Sequence, residues 1–171
     1  MSDLIITEDP ANYPIPEEGL HHGVCVDAIS IGKVETPWGA KDKVSLMFEL
    51  QSIDEDGRPF LVGKRFTRSL NEKATLRKFL EKWKASKYIP QDLQEGINLE
   101  SYVGMSATLF IVHNETEERT YANIESILPY KAPDTGEISY YGLKPNGEYT
   151  RVCERPDYQP ADQFSANGVT S

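Results

Sequence analysis

The stretch 44–51 constrains the fold more than any other. Val44, Leu46, Phe48 and Leu50 alternate with Ser45, Met47, Glu49 and Gln51, and a period of two places the first set on one face of an extended strand and the second on the other. One face of this strand must be core. Upstream, "HGVCVDAISI" (22–31) is a β-branched, partly alternating run that predicts a first strand. Downstream, Asp54-Glu55-Asp56-Gly57-Arg58-Pro59 carries hairpin turn chemistry, and "FLVGKRFT" (60–67) returns as a third strand with Gly63 a candidate bulge. The period then changes. Ser69 and Glu72 fit a capping box, and Leu76, Phe79, Leu80 and Trp83 recur at helical spacing, so an amphipathic helix is expected over 70–85. After a looser stretch with Leu99, Tyr102 and Val103 as packing residues, "ATLFIVHN" and "RTYANIESIL" read as two more strands joined by a charged turn at 115–118.

Three strands, one helix and two strands is the order of a mainly β protein built as a five-stranded Greek-key barrel of the OB type, with the helix between strands 3 and 4. An SH3-like barrel would lack the long helix, and a ferredoxin-like fold would want a helix between its first two strands. Residues 1–18 are polar, hold three prolines and show no period, which predicts a flexible N-terminal arm. Residues 19–130 are the expected barrel domain. Beyond Pro129 prolines and glycines accumulate and apolar periodicity stops, so 131–171 reads as an extended, partly disordered tail. Tyr140, Tyr141 and Tyr149 are too many aromatics for a spacer, and they are expected to cover an apolar body, on the chain's own domain rather than on a partner.

At 171 residues the chain can bury one core without staples. Cys25 and Cys153 lie far apart and outside any CxxC or Cys/His cluster, which points to neither a disulfide framework nor zinc and suits a reducing cytoplasm. With no signal-like opening and no apolar run near the ~20 residues that span a bilayer, a soluble, unexported protein is expected.

Charge is unevenly distributed. The formal net charge is -9, yet 33–87 holds 13 Lys and Arg against 8 Asp and Glu, while the rest of the chain holds 5 against 19. Lys73, Lys78, Lys82 and Lys84 suit a solvated helix surface. Lys33, Lys41, Lys43, Lys64, Arg65 and Arg68 need another account. In an OB barrel the loop between strands 1 and 2, the exposed face of strands 2 and 3 and the loop between strands 4 and 5 line the ligand groove. Here these would supply Lys33, Trp38 and Lys41 from a loop at 32–42 with Lys43 just beyond it, then Lys64, Arg65, Phe66 and Arg68, then Arg119 and Tyr121. Cations that track phosphates beside aromatic faces that accept bases are the means of binding single strands with little sequence preference. Two assignments stay open. Trp38 is either a lid over the barrel or a stacking platform, and Phe66 belongs to the core with Phe60 and Val62 unless a bulge at Gly63 reverses the strand.

Catalytic patterns are weak. His21, His22 and His113 lack metal-helix spacing, and no GxSxG, no GxxxxGK[ST] and no Cys beside a base occurs. Asp27 and Glu49 are expected to face solvent. No enzyme, metal or cofactor is indicated.

The stretches "GVCVDAISIG", "PWGAKDKVSLMFEL", "KRFTRSLNEKATLRKFLEKW", "INLESYVGMSATLFIVHN" and "YANIESILP" together resemble phage-encoded single-stranded DNA-binding proteins of the OB-fold type, found in replication and recombination modules. They span 23–129. The resemblance implies a coater of single-stranded DNA in a bacterial host cytoplasm, with no cofactor and with replication and recombination proteins as partners; it leaves oligomeric state open. Bacterial single-strand binders typically end in an acidic tail with an apolar tip, whereas this chain ends "QFSANGVTS", so recruitment of partners through that end is not implied. The competing expectation is an acidic protein-interaction module, or a DNA mimic that inhibits a host nuclease or defence complex, drawn from the net charge.

Overall fold

The alternating segment belongs to the second strand of a five-stranded antiparallel sheet in the computed structural model, which describes residues 14–158. Strands β1 (Gly19–Thr36), β2 (Gly39–Ile53), β3 (Pro59–Thr67), β4 (Ser106–Glu115) and β5 (Thr120–Pro129) take the order β3-β2-β1-β4-β5. Val44, Leu46, Phe48 and Leu50 are all buried, and they meet Val62 and Phe66 of β3 and Leu109, Ile111, Ile124 and Ile127 of β4 and β5.

β1 is much longer than the expected run. Its first part pairs with β4 (Gly19↔Ile111 to Val24↔Ser106) and the rest with β2 as far as Thr36↔Gly39. Two irregularities, between Cys25 and Asp27 and between Ser30 and Gly32, bend it along the way. The first has a consequence for Asp27. Cys25 faces the core opposite Phe48, and two residues on a regular strand would put Asp27 there as well; the extra residue turns Asp27 to the outer face, opposite Met47. Gly63, by contrast, is no bulge. The β2–β3 register runs unbroken from Lys43↔Thr67 to Glu49↔Leu61, and Gly63 instead makes room for Met47, whose sulfur occupies the space a Cβ would need.

The expected helix forms later than the capping box suggested. Helix α1 covers Thr75–Lys84 and has no side-chain cap, because Ser69 and Asn71 spend their oxygens on the N–H groups of Asn71 and Lys73 in turns before it. Its buried stripe is as read: Leu76, Phe79, Leu80 and Trp83. Phe79 packs 4.9 Å from Phe66, Trp83 5.3 Å from Phe48 and 5.0 Å from Tyr102, between ring centroids, and the Trp83 indole donates to the Ser106 carbonyl at 2.8 Å. A short helix α2 (Pro90–Glu95) and a 3₁₀ turn (Leu99–Tyr102) lead into β4. Tyr88 and Tyr102 share a buried hydroxyl–hydroxyl hydrogen bond.

The sheet curls until its edge strands approach. Lys64 of β3 extends to β5 and donates to the Ile124 carbonyl at 3.1 Å.

Residues 131–158 carry almost no regular structure, yet they pack against the sheet. Ser106 N–H donates to the Tyr140 carbonyl at 2.5 Å and Leu143 N–H to the Ser106 hydroxyl at 2.9 Å; further on, Asn146 N–H donates to Glu49 at 2.8 Å. The segment then closes on Asp27, only 1% exposed, which accepts from the Tyr149 hydroxyl (2.8 Å), the Val152 N–H (2.8 Å) and the Arg151 guanidinium (3.0 Å). Asp27 and Glu49 therefore do not face solvent as expected. The tail covers both and supplies the donors that make their burial tolerable. Of the expected tail, 159–171 lies outside the described residues, as does 1–13 of the expected arm. Residues of the arm that are described are tied down: the His113 backbone donates to Glu18 at 2.8 Å and its ring to the Pro16 carbonyl at 2.7 Å. Among the described residues no helix is long and apolar enough to cross a membrane.

Candidate nucleic-acid interface

The expected loop at 32–42 is not a loop. Val34 and Thr36 continue the β1–β2 ladder through Gly32↔Lys43, Lys33↔Asp42 and Val34↔Lys41, and the chain reverses tightly at Pro37-Trp38. The Thr36 hydroxyl donates to the Gly39 carbonyl at 2.6 Å and accepts from the Trp38 N–H at 3.2 Å, while Gly39 takes φ +104, a value a side chain would resist. Trp38 thus stands at the end of a two-stranded ribbon, 83% exposed. It is not a lid. No body of the described chain covers it, which leaves the platform alternative.

The ladder also sorts the lysines. Directly paired residues share a face and successive pairs alternate. Lys41 and Lys43 therefore stand on the outer face, where Lys43 donates to Thr67 at 2.8 Å and Arg65, paired with Ser45, joins them. Lys33 lies on the opposite face, directly across from Asp42. Arg68 follows β3, its backbone N–H held by the Asp42 carbonyl at 2.8 Å.

Two expected residues leave the set. Phe66, 2% exposed, packs on Phe79, since the unbroken register keeps it on the face of Val62. Lys64 is half-buried at the β3–β5 seam, and its ammonium, bound to the Ile124 carbonyl, braces the sheet. Arg119 and Tyr121 do form a pair, the guanidinium 4.4 Å from the ring centroid, half-buried on the β4–β5 hairpin. They share a cleft with Asp54 and Phe60–Val62, and so sit at the opposite end of β3 from Thr67 and the ribbon. From Leu61 to Thr67 the separation is about 20 Å at ~3.3 Å per residue. Leu61, 46% exposed, stands at the far end of this outer face and Arg65 between the two ends.

The tail borders this face. Glu148, Tyr149 and Asn146 stand beside Glu49, Arg58 and Leu61, and Arg151 runs from Asp27 to Glu100, whose two carboxylate oxygens it binds at 2.8 and 2.5 Å. That hydrogen bonding holds the Glu100 carboxyl below the usual range. Burial, and then the bond to Asp27, pushes the Tyr149 hydroxyl up to about 12. Burial likewise raises the Cys25 thiol to about 12, which leaves it without thiolate character at neutral pH.

These tail contacts were missed in the sequence. Asp27 within "VCVDAISI" is an acid in an apolar strand, a signal that it needs a partner, but nothing in the spacing identifies Tyr149 and Arg151 more than a hundred residues on.

The histidines are occupied structurally. His21 contacts Ser52 and the Glu17 carbonyl, each at 2.6 Å, and His22 contacts the Thr108 hydroxyl at 2.9 Å and meets Tyr130 edge-on. Among the described residues no three His, Cys, Asp or Glu side chains gather as a metal site would require. Compared with protein-family models and with curated proteins, the chain matches none.

Proposed function

We propose that the protein binds single-stranded nucleic acid, in the first instance DNA, without catalysing a reaction on it. The observation that carries this reading is Trp38, exposed at a ribbon tip with Lys41, Lys43 and Arg65 on the adjoining outer face. An indole held out in water by a stiff, hydrogen-bonded turn has a face to offer, and unpaired bases offer faces in return. The cations beside it suit the phosphates that link them. Arg119 and Tyr121 would form a second contact at the far end of β3, so that a strand laid across the face meets an aromatic and a cation at each end. A footprint within the roughly 4–16 nucleotides per OB domain follows.

Support for the OB barrel comes from the strand order, from one long bent β1 shared between β2 and β4, from the helix between β3 and β4, and from the Lys64 brace that draws β3 to β5. Together with the resemblance of 23–129 to phage single-strand binders, it favours a role in phage replication or recombination, in the host cytoplasm, with other replication proteins as partners.

The test compares a labelled unstructured oligo-dT with a hairpin duplex of the same length. Single strands should bind far more tightly, because stacked and paired bases have no free face for Trp38. Equal affinity for the two would refute the stacking role.

A further inference from the structure

A cleft of about 470 Å³ opens beside the ribbon, between β1, the start of α1 and the segment 97–100. Its floor and walls are largely apolar, with Ala28, Val44, Leu70, Leu76 and Ile97 contributing. Ligand clefts are typically of this size, apolar with a few placed polar groups. Here the polar groups differ between rim and wall. Arg68 stands at the rim. Lys33 stands beyond it, since the register puts Lys33, with Asp42 directly across from it, on the ribbon face that Ser30 and Val44 share, the face the cleft occupies. On the wall, the Asn98 side-chain oxygen accepts from the Glu100 N–H at 3.0 Å, which orients the amide and leaves its NH₂ as a donor. Glu100, the one acid among the described residues that line the cleft, has both oxygens engaged by Arg151.

Cations outside, an apolar slot inside and an amide donor on the wall match one chemistry in particular. A nucleotide is anionic where it is linked and flat where it is not, with a carbonyl on every base but adenine. We propose that this cleft takes one unstacked base of a bound single strand, with Lys33 and Arg68 on the flanking phosphates and Asn98 donating to a base carbonyl. The proposal rests on the single-strand reading above and adds a second, inner contact to the outer face at Trp38. It also gives Lys33, which the register separates from Lys41 and Lys43, a role of its own. A base lodged there would make the protein sensitive to which base it is, because an amide donor suits the carbonyls of thymine better than the amino edge of adenine.

The experiment uses the full chain with methyl-labelled Ile and Leu and follows Ile29, Leu70, Leu76 and Ile97 by NMR while three probes are added: oligo-dT, a strand of the same length with abasic sugars, and thymidine monophosphate. Oligo-dT and the mononucleotide should shift these methyls, and the abasic strand should not. In parallel, Ile97→Trp fills the cleft from its half-buried wall, and it should weaken oligo-dT binding about tenfold, the worth of one stacked base, while leaving the abasic strand unaffected. Asn98→Ala should narrow the preference for oligo-dT over oligo-dA. Oligo-dT that binds with the cleft methyls unmoved, or abasic and intact strands that shift them alike, would overturn the cleft site and leave the outer face standing. Failure of every strand to bind would overturn both. If Ile97→Trp does not fold, the methyl shifts of the unaltered protein decide.

Discussion

Residues of the same type have diverged in role along this chain because strand register decides what each can reach. Lys43 and Lys64 sit on neighbouring strands, yet one stands on an open face and the other spans to a carbonyl of β5. Trp38 and Trp83 differ in the same way, one exposed at 83% and one fully buried with its N–H spent on Ser106. Trp38→Ala should accordingly lower single-strand affinity by roughly 1–3 kcal/mol with an unchanged melting temperature, read by fluorescence anisotropy and thermal unfolding of the same sample. Phe66→Ala should do the reverse, with a stability loss of roughly 3–5 kcal/mol, as emptying a packed aromatic site does; normal stability with lost affinity would return Phe66 to the interface. Period alone could assign Val44 to Leu50, and it placed Phe66 beside Val62 as one of two possibilities. What it could not resolve was Gly63, since a glycine in a strand reads equally as a bulge or as space for a neighbour. The unbroken register and the position of Met47 decide between them.

At the level of elements, the tail is the part least legible in the sequence. Its lack of period is real, because among the described residues 131–158 it forms neither helix nor sheet of any length, but it is held by discrete polar contacts that leave no periodic trace. Those contacts concentrate on Asp27. Arg151→Ala would leave a buried carboxylate with the Tyr149 hydroxyl and the Val152 N–H as its donors among the described residues, and should cost about 3 kcal/mol, at the low end for breaking a buried pair. Denaturant unfolding measures it, and no loss would show that the strap is incidental. Removal of 131–171 should lower stability by a similar or larger amount while the sheet still unfolds in one transition, since Trp83, Phe79 and the strands carry the core. The strap should also respond to pH at both extremes. Glu100 has a folded value below its ordinary 4.5, so its contribution is present above that pH and fades as pH falls through the folded value. Tyr149 is raised, so its contribution is complete below about 10 and is lost as pH climbs toward 12. Protease cleavage within 140–152 should therefore be slowest between these limits, and a rate that ignores pH after correction for the protease would contradict the latch.

For the whole molecule, the net charge of -9 conceals where the cations stand. Lys41, Lys43 and Arg65 share an outer face, Arg68 lines the cleft with Lys33 on the same ribbon face, and Arg119 waits at the far end of β3. The basic segment was visible by counting; its division into two faces was not, because that depends on two-residue periodicity continuing through what reads as a polar loop. Salt dependence reports directly on how many of these cations meet phosphate. On a single strand the logarithm of affinity should fall linearly with the logarithm of salt, by about 0.7 per phosphate neutralised. The decisive measurement is a titration of oligo-dT at several salt concentrations with the unaltered protein and with Lys41→Ala/Lys43→Ala. A steep slope that becomes shallower by about 1.4 in the double variant, two contacts at 0.7 each, is the expected result. A flat slope, or one that the double variant leaves unchanged, would contradict single-strand binding through this face.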